Sequence, residues 1–245
     1  MSLVETSGIV IRYVNYRESD RILTLFTREH GLISAAARGC RRPKSKLLSA
    51  SELFVYGDYI LFQNKGKYTV DSCDIRESFY PIREDVGKLY AAAYMLAVAN
   101  ESAATAESNG ALMSLLLHAL SFCVYGDNEP ADIALCFTVR ALAVLGFSPA
   151  ITRCAICRRD IRAQGLLTFS PANGGVLCQF CNPRGDNAIS PLSLEAIRRM
   201  ILLADADMQK VKLPERVRNE LRRYICDYAE HVFEKKLPPI DSYNA

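Results

Sequence analysis

Residues 150–186, AITRCAICRRDIRAQGLLTFSPANGGVLCQFCNPRGD, contain four of the nine cysteines of this chain. These four form two close pairs, Cys154-x-x-Cys157 and Cys178-x-x-Cys181, separated by twenty residues. This spacing is typical of a zinc site built from four thiolates. Because four protein ligands complete the tetrahedral coordination of Zn²⁺, such a site leaves no position for a substrate or a reactive water. The spacing therefore predicts one structural Zn²⁺ ion and argues against metal catalysis.

Two other interpretations of the cysteines remain open at this stage. The pairs could be buried separately without meeting, or one could be a redox pair, although a redox Cys-x-x-Cys normally occurs alone and near a βαβ pattern. The other five cysteines are scattered, and three of them lie among apolar residues as small buried hydrophobes would. They are Cys40, Cys73, Cys123, Cys136 and Cys226. This usage favours a reducing cytoplasm over a disulfide scaffold.

The ends and the apolar stretches of the chain give no sign of a membrane partner. The N-terminus, MSLVETSGIV, lacks the basic segment and the long apolar run of a signal peptide. The longest apolar stretch, residues 89–99, is about half of what a membrane span needs. We therefore expect a soluble, cytoplasmic protein.

Upstream of the cysteines, residues 1–80 show the pattern of a small β-barrel. Five short runs rich in β-branched and aromatic residues alternate with turns that contain glycine, which is typical of a closed or nearly closed barrel. The predicted strands are residues 8–14, 21–27, 32–37, 54–63 and 68–75. Residues 64–67, Asn-Lys-Gly-Lys, are predicted to connect the last two strands as a hairpin.

On both sides of the cysteine module, the pattern predicts helices. The expected helices cover residues 85–100 and 111–125, one from Pro130 to a stop at Gly146, one from Pro191, and one over 214–235. The fold class is therefore α+β with several domains. The predicted domains are a barrel over 1–80, a helical domain over 81–149 and 187–245, and a zinc module over 150–186 inserted between its two parts.

The charge distribution is more informative than the net charge of +3. No acid occurs between Glu29 and Glu52, and this interval contains five cations within nine residues. They are Arg38, Arg41, Arg42, Lys44 and Lys46. Small barrels commonly present loops and one strand face to oligonucleotides, so this segment is predicted to bind phosphates. The alternative is an ordinary solvated charge run.

Single-strand binding also needs aromatic side chains on which bases can stack. The barrel offers Tyr13, Tyr16, Phe26, Phe54, Tyr56, Tyr59, Phe62 and Tyr68. Strand alternation places Phe54 and Tyr56 on one face, and the sequence does not say which face is outside. Near the first cysteine pair, Arg153, Arg158, Arg159 and Arg162 either offset the negative charge of a zinc–thiolate centre or form a second phosphate-binding patch.

The common enzyme motifs are missing from the sequence. It contains no phosphate-binding P-loop, no dinucleotide-binding glycine motif after a strand, no His-Glu-x-x-His, no His-x-Glu of a zinc deaminase and no Gly-x-Ser-x-Gly. We therefore expect a protein that is not an enzyme. A cysteine-dependent enzyme that uses Cys40 or Cys73 is a competing class.

Three stretches, in this order, resemble the RecO family of bacterial recombination mediators. The first is residues 8–32, with Tyr16-Arg17-Glu18-Ser19-Asp20-Arg21 at its centre. The second is the basic Ala37-Arg38-Gly39-Cys40-Arg41-Arg42. The third is Phe137-x-x-Arg140-x-Leu142-x-x-Leu145-Gly146-Phe147-x-Pro149, followed by Cys154.

This resemblance implies an N-terminal OB-fold, a helical domain and a zinc-stabilised insertion. It implies binding of single- and double-stranded DNA, annealing of complementary strands, and loading of recombinase onto DNA that is coated by single-strand-binding protein. The implied partners are RecR, the acidic tail of single-strand-binding protein and, in some members, RecF. The implied location is cytoplasmic, in association with the nucleoid. Some members lack the cysteines, which supports a structural role for zinc.

The chain departs from the family pattern at two positions. Arg158 stands where many members have glycine, and Thr138 stands where an acid is common. Residues 81–150 contain three basic and seven acidic residues, which leaves Arg140 or the basic terminal helix as candidate contacts for an acidic tail.

The predicted DNA contacts are the five cations of the basic segment, with three outer members, Arg12, Arg17 and Lys67. The predicted metal ligands are Cys154, Cys157, Cys178 and Cys181. The alternative function is a zinc-ribbon scaffold for protein interactions in transcription or translation.

Overall fold

The structure is a computed structural model that describes residues 2–104, 109–161 and 165–241. The chain forms two compact units. The first contains Met1–Glu84 with Ala103–Ser114, and the second contains Asp85–Ser102 with Leu115–Ala245. Each unit is described by itself.

Five strands of the first unit form a barrel in the order β1-β2-β3-β5-β4. The strands are β1 (Ser2–Tyr16), β2 (Asp20–Thr27), β3 (Gly31–Ala37), β4 (Tyr56–Asn64) and β5 (Lys67–Glu77). All neighbours are antiparallel except β3 and β5. This arrangement fits an OB-fold, and the five predicted strands are confirmed.

The long strand β1 pairs with a different neighbour along each of its halves. Residues 2–9 pair with β4, and residues 8–16 pair with β2. Gly8 lies where the two pairings overlap, opposite both Thr27 and Gly57. A Cβ atom at Gly8 would lie 3.1 Å from the Phe26 carbonyl oxygen, so a larger residue would require β2 to shift by a few tenths of an ångström.

The turn between β4 and β5 confirms the predicted hairpin. Its two central residues, Lys65 and Gly66, have φ angles of +47° and +75°. Positive φ at both positions matches the right-handed twist of the flanking strands. The predicted strand over residues 54–63 starts too early, however, because Phe54 has a φ of +69° and lies before β4.

The second unit contains most of the helical structure. Its helices include α3 (Pro130–Val144), α4 (Pro191–Leu202) and α5 (Glu215–Phe233). The helices α1 (Val86–Ala103) and α2 (Asn109–Tyr125) connect the two units along the chain. The predicted starts at Pro130 and Pro191 are confirmed, and Ser190 caps α4 by accepting a hydrogen bond from the Ser193 N–H.

Helix α3 is the centre of this unit. Residues 131–139 of this helix are all buried, and α3 packs against α4 and α5. Asp132 on α3 is buried, and its carboxylate accepts hydrogen bonds from Arg218 of α5 at 2.6 and 3.2 Å and from the Leu213 N–H. Full hydrogen bonding makes this buried charge tolerable and fixes how α5 lies on α3.

The cysteine module contains a two-stranded sheet of β6 (Leu167–Ser170) and β7 (Gly175–Cys178). The predicted turn at Asn173-Gly174 is confirmed, with Gly174 at a φ of +68°. The side chain of Phe169 on β6 stacks on Tyr224 of α5, with ring centroids 5.4 Å apart. Within the described ranges, no helix combines the length and the hydropathy that a membrane crossing requires.

Candidate nucleic-acid interface and metal centre

The basic segment, defined here as residues 38–46, leaves the end of β3 and is held to the barrel by buried side chains within and beside it. Cys40 is fully buried in the barrel core, and Leu47, just beyond the segment, belongs to the same core cluster. The five cations of the segment are all exposed. Because the apolar side chains point inward, the chain is forced to direct its cations to solvent.

The turn between β1 and β2 binds the other side of the basic segment. The Asp20 carboxylate accepts a hydrogen bond from the Gly39 N–H at 2.7 Å. The Arg41 N–H donates to the Ser19 carbonyl at 3.0 Å, and the Arg41 guanidinium donates to the Glu18 carbonyl at 3.1 Å. These bonds bring Arg17, in the same turn, to the same end of the barrel as the segment.

The pKa of Asp20 is lowered by its contacts with the basic segment and the adjacent turn. The hydrogen bond from the Gly39 N–H holds the pKa of Asp20 below its usual value of 3.8, against the opposing effect of burial. A hydrogen bond from Ser19 and the positive charges of Arg17 and Arg38 lower this pKa further. Asp20 therefore stays ionised and positions a cationic loop without neutralising all of it.

The structure places the other two predicted DNA contacts farther along the barrel. Arg12 is exposed and pairs with Thr24, four residues along β1 from the Tyr16–Asp20 pair. Lys67 is exposed at the start of β5, one residue before the Tyr68–Ala35 pair. Four residues of strand span roughly 13 Å. That Arg12 and Lys67 are outer DNA contacts stays a prediction.

The outer barrel face beside the segment contains exposed apolar side chains. Tyr16 is 48% exposed and Phe62 is 42% exposed, whereas Phe26, Phe54 and Tyr59 are buried. Cross-strand pairing places Phe62 beside Thr69, followed by Ala36, Ile22 and Val14, on one continuous face. Tyr16 and Phe62 are therefore the two strongly exposed aromatic rings among the eight that the sequence offered.

The two cysteines of the competing enzyme class are poorly suited to nucleophilic chemistry. Cys40 has no exposed surface. Burial raises the pKa of the Cys73 thiol to about 11, and a hydrogen bond with Tyr59 offsets this only in part. Because the thiolate is the reactive form of cysteine, these surroundings work against attack on a substrate.

The four cysteines of the module converge in the second unit. Their sulfur atoms all lie within 4.8 Å of one another, and Cys157 Sγ is 3.7 Å from Cys178 Sγ. A tetrahedral ion with bonds of about 2.3 Å to sulfur would have sulfurs about 3.8 Å apart. The spacing of these donors fits such an ion, so this group could hold a metal.

The backbone around the sulfurs favours thiolates at two positions. Burial raises the pKa of Cys154, but N–H groups of Cys157, Cys178 and Ile156 outweigh it and lower this pKa to about 6. The pKa of Cys178 is also lowered, because the N–H groups of Cys181 and Phe180 outweigh the effect of burial. Burial and the neighbouring sulfurs raise the pKa of Cys181 to about 12. The Cys181 thiol therefore resists ionising beside the neighbouring sulfurs, and a divalent cation would remove that repulsion.

The two cysteine turns resemble each other in their backbone hydrogen bonds. The Arg158 N–H donates to the Cys154 carbonyl at 2.9 Å, and the Asn182 N–H donates to the Cys178 carbonyl at 3.0 Å. Arg158 has a φ of +62°, in the left-handed region where glycine is favoured. This conformation fits the glycine that the family resemblance implies at this position.

The arginines around the first cysteine pair are solvent-exposed where the structure describes them. These are Arg153, Arg158 and Arg159, and Arg162 lies outside the described residues. The guanidinium of Arg159 lies over the ring of Phe180, 5.0 Å from its centroid. Phe180 is itself 64% exposed.

Arg140, one of the candidates for an acidic tail, is used inside the protein. Its guanidinium donates to Asp205 and to the carbonyl oxygens of Met200 and Leu203. The prediction that Arg140 could serve an acidic ligand is therefore wrong. Beside it, α4 and residues 210–217 enclose a groove of about 480 Å³.

Sequence reasoning missed this groove. Apolar residues dominate its lining, and its rim includes Leu202, which is 74% exposed, with Arg199, Lys210 and Lys212. Arg199 and Lys210 form ion pairs with Glu195 and Asp207, but exposed pairs of this kind are weak and easily exchanged. The sequence signal for this groove was faint because Leu202 and Leu192 look like ordinary helix residues.

Comparison with known proteins gives a consistent result over the whole chain. The family model for Recombination protein O, N terminal, matches residues 1–79, and the model for its C terminal matches residues 83–238. DNA repair protein RecO of Acetivibrio thermocellus is 34% identical over 98% of this chain and 96% of its own length. The RecO proteins of Symbiobacterium thermophilum and Moorella thermoacetica are 32% and 28% identical, over 97% and 96% of this chain and 95% and 88% of their own lengths.

The contact between Asp20 and Gly39 generates a testable prediction. In Asp20→Ala, the Gly39 amide should exchange its hydrogen several-fold faster than in the wild type at neutral pH, as measured by NMR, because it loses its acceptor. Since the pKa of Asp20 is lower in the folded state, the contact is favourable above the usual carboxyl pKa and is lost as the pH falls through the lowered value. Wild-type protection should therefore persist at neutral pH and decrease in acid.

The matched control is Asp71→Ala, which removes an exposed carboxylate from β5 and should leave exchange at Gly39 unchanged. Equal exchange rates at Gly39 in Asp20→Ala and the wild type would show that this carboxylate does not hold the loop.

Proposed function

The chain belongs to the Recombination protein O family of DNA repair proteins, and from this premise we propose that it is a DNA-binding recombination mediator that has no catalytic activity of its own. In this proposal it binds single- and double-stranded DNA, anneals complementary strands and helps to load recombinase onto coated single strands. The observation that carries the proposal is the basic segment: five exposed cations on a loop that is anchored in the barrel core by Cys40 and by the adjacent Leu47.

Annealing requires two polyanions to approach each other, and the basic segment supplies what this step needs. Cations at the contact neutralise phosphates and release condensed counterions, which drives binding without regard to sequence. A loop that reads no bases lets the strands shift past each other until they find their register. We propose Arg38, Arg41, Arg42, Lys44 and Lys46 as the main contacts and Arg12, Arg17 and Lys67 as outer contacts.

The exposed barrel face beside the segment suits the bases of a single strand. The rings of Tyr16 and Phe62 offer stacking surfaces, and apolar Val14 lies on the same face. Base stacking on an aromatic ring tolerates any sequence because every base has a flat π surface. We propose that a single strand lies along this face with its phosphates toward the basic segment.

The salt dependence of binding tests the basic segment. For single strands, the logarithm of affinity falls with the logarithm of salt concentration by roughly 0.7 per neutralised phosphate. The double variant Arg41→Ala/Arg42→Ala should therefore lower this slope by about one to two units in a gel-shift or anisotropy titration with an oligonucleotide.

The control is Arg198→Ala/Arg199→Ala, which removes two adjacent exposed arginines from α4 and should leave the slope unchanged. An unchanged slope in the Arg41/Arg42 variant would exclude the basic segment as the DNA contact.

We propose that the metal held by Cys154, Cys157, Cys178 and Cys181 is a single Zn²⁺ ion with a structural role. The ion would neutralise the four sulfurs and hold the two cysteine turns together. Four sulfur donors complete its coordination, so it would take no part in chemistry.

In this assignment, residues 1–80 are the nucleic-acid-binding domain, 150–186 are the zinc module, and 81–149 with 187–245 are the helical body.

Metal analysis tests this assignment. The purified protein should contain about one zinc per chain, and Cys154→Ser should lose most of it, because three thiolates hold Zn²⁺ less tightly than four. A thermal scan should show the module melting earlier in this variant. Cys226→Ala, a cysteine outside the cluster, should keep its zinc. Zinc-free wild-type protein with unchanged thermal stability would contradict the structural role.

For the protein partners, we propose that the groove of α4 and residues 210–217 receives the acidic tail of single-strand-binding protein. Its apolar floor and cationic rim complement a short peptide that combines acidic and apolar residues. RecR and RecF remain proposed partners through the family resemblance.

A labelled peptide that carries this acidic tail tests the groove by fluorescence anisotropy. Leu202→Glu should weaken its binding roughly tenfold, because the change removes an apolar contact and adds a repelling charge. Tyr125→Glu places the same charge at an exposed position outside the groove and should bind normally. Equal affinity in Leu202→Glu and Tyr125→Glu would rule the groove out.

A further inference from the structure

Both cysteine turns expose a large apolar side chain at the same position, directly before the second cysteine of each pair. Ile156 is 52% exposed and Phe180 is 64% exposed. A single exposed apolar residue is ordinary and requires no explanation. Two at equivalent positions of two turns around one metal centre form a surface, because the centre brings the turns together.

The contacts between the turns place Arg159 of the first turn beside Phe180 of the second. The sulfurs of Cys157 and Cys178, one from each turn, are 3.7 Å apart. Arg159 follows the first turn, yet its guanidinium lies 5.0 Å from the ring centroid of Phe180 in the second. We call Ile156, Phe180, Arg158 and Arg159 the module tip.

The chemistry of the module tip matches that of an unpaired nucleotide. An aromatic ring offers a base a stacking surface on each of its faces. The guanidinium of Arg159 lies over one face of Phe180, leaves the other face for a base and keeps N–H groups available for a phosphate. Exposed Arg158 adds a second cation. Offsetting the charge of a zinc–thiolate centre would account for the arginines, but it gives no reason for the exposure of Ile156 and Phe180.

We propose that the module tip is a second nucleic-acid contact, at which an unpaired base of single-stranded DNA stacks on Phe180 while Arg158 and Arg159 contact its phosphates. This inference rests on the proposed function and adds a site that lies outside the barrel. A base in a duplex is stacked between its neighbours and is not free to stack on Phe180. The tip therefore holds strands that are still unpaired and releases them as they anneal.

The absence of tryptophan from the sequence allows a direct test. Phe180→Trp places the only tryptophan of the chain at the tip, and oligo(dT) should quench its emission, because a stacked base quenches an indole ring. The same oligonucleotide in duplex form should quench it much less. Tyr125→Trp is the control, since Tyr125 is a similarly exposed aromatic residue, 60% exposed, at the end of α2; its emission should not change.

Binding measurements on the full chain complete the test. Phe180→Ala should weaken binding of oligo(dT) about tenfold, and Phe180→Tyr, which keeps the ring, should stay within about twofold of the wild type. Duplex binding should be unchanged in both variants, and zinc content and melting temperature should match the wild type, since Phe180 is exposed. Tyr125→Ala should bind both DNAs normally.

The outcomes separate this inference from the proposed function. Suppose that the salt dependence of DNA binding by the wild type depends on Arg41 and Arg42, but Phe180→Trp is not quenched and Phe180→Ala binds oligo(dT) normally. In that case the tip is not a DNA contact, and the proposal for the barrel stands. An equal loss of single-strand and duplex binding in Phe180→Ala would also overturn base stacking. Wild-type protein that binds no DNA would overturn the proposed function itself.

Discussion

The barrel depends on one long strand, β1, whose two halves pair with different neighbours. The first half of β1 pairs with β4 and its second half pairs with β2, and Gly8 permits the close approach of strands at the crossover. An open five-stranded sheet would leave unpaired backbone groups on two edges. With those edges paired, the connection from β3 to β4 crosses one end of the barrel, and the basic segment lies within this connection.

The basic segment combines a buried apolar side chain with exposed cations within a few residues. Cys40 is buried in the apolar core, while Arg38, Arg41 and Arg42 around it are exposed. Apolar burial and one ionised carboxylate, Asp20, restrain the backbone, and the guanidinium of Arg41 also donates to the Glu18 carbonyl. A surface that is restrained in this way can meet a polyanion with less loss of conformational freedom than a flexible loop.

The cysteine module is too small to be stabilised by an apolar core of its own. It has a two-stranded sheet of four residues per strand, which is too small to be stable on its own. Four converging sulfurs and the packing of Phe169 against Tyr224 compensate for the missing core. Because the centre lies close to the module surface, its two turns expose side chains that a larger domain would have buried.

Local sequence determined the elements of this protein and the four cysteines of its candidate metal site. Strand and helix positions follow from the period of apolar residues, and the four cysteines are recognised by their spacing, because both signals lie between near neighbours in the chain. Only the tertiary structure decided which aromatic rings are exposed and that the Arg140 guanidinium donates to Asp205 and nearby carbonyl oxygens. It also decided that the Asp20 carboxylate accepts a hydrogen bond from Gly39 and that the Arg159 guanidinium lies over the ring of Phe180. The contacts join residues that are 19 to 65 positions apart, and the exposure of a ring depends on which face of its strand points outward. The spacing of residues along a chain carries no information about such contacts until the chain has folded.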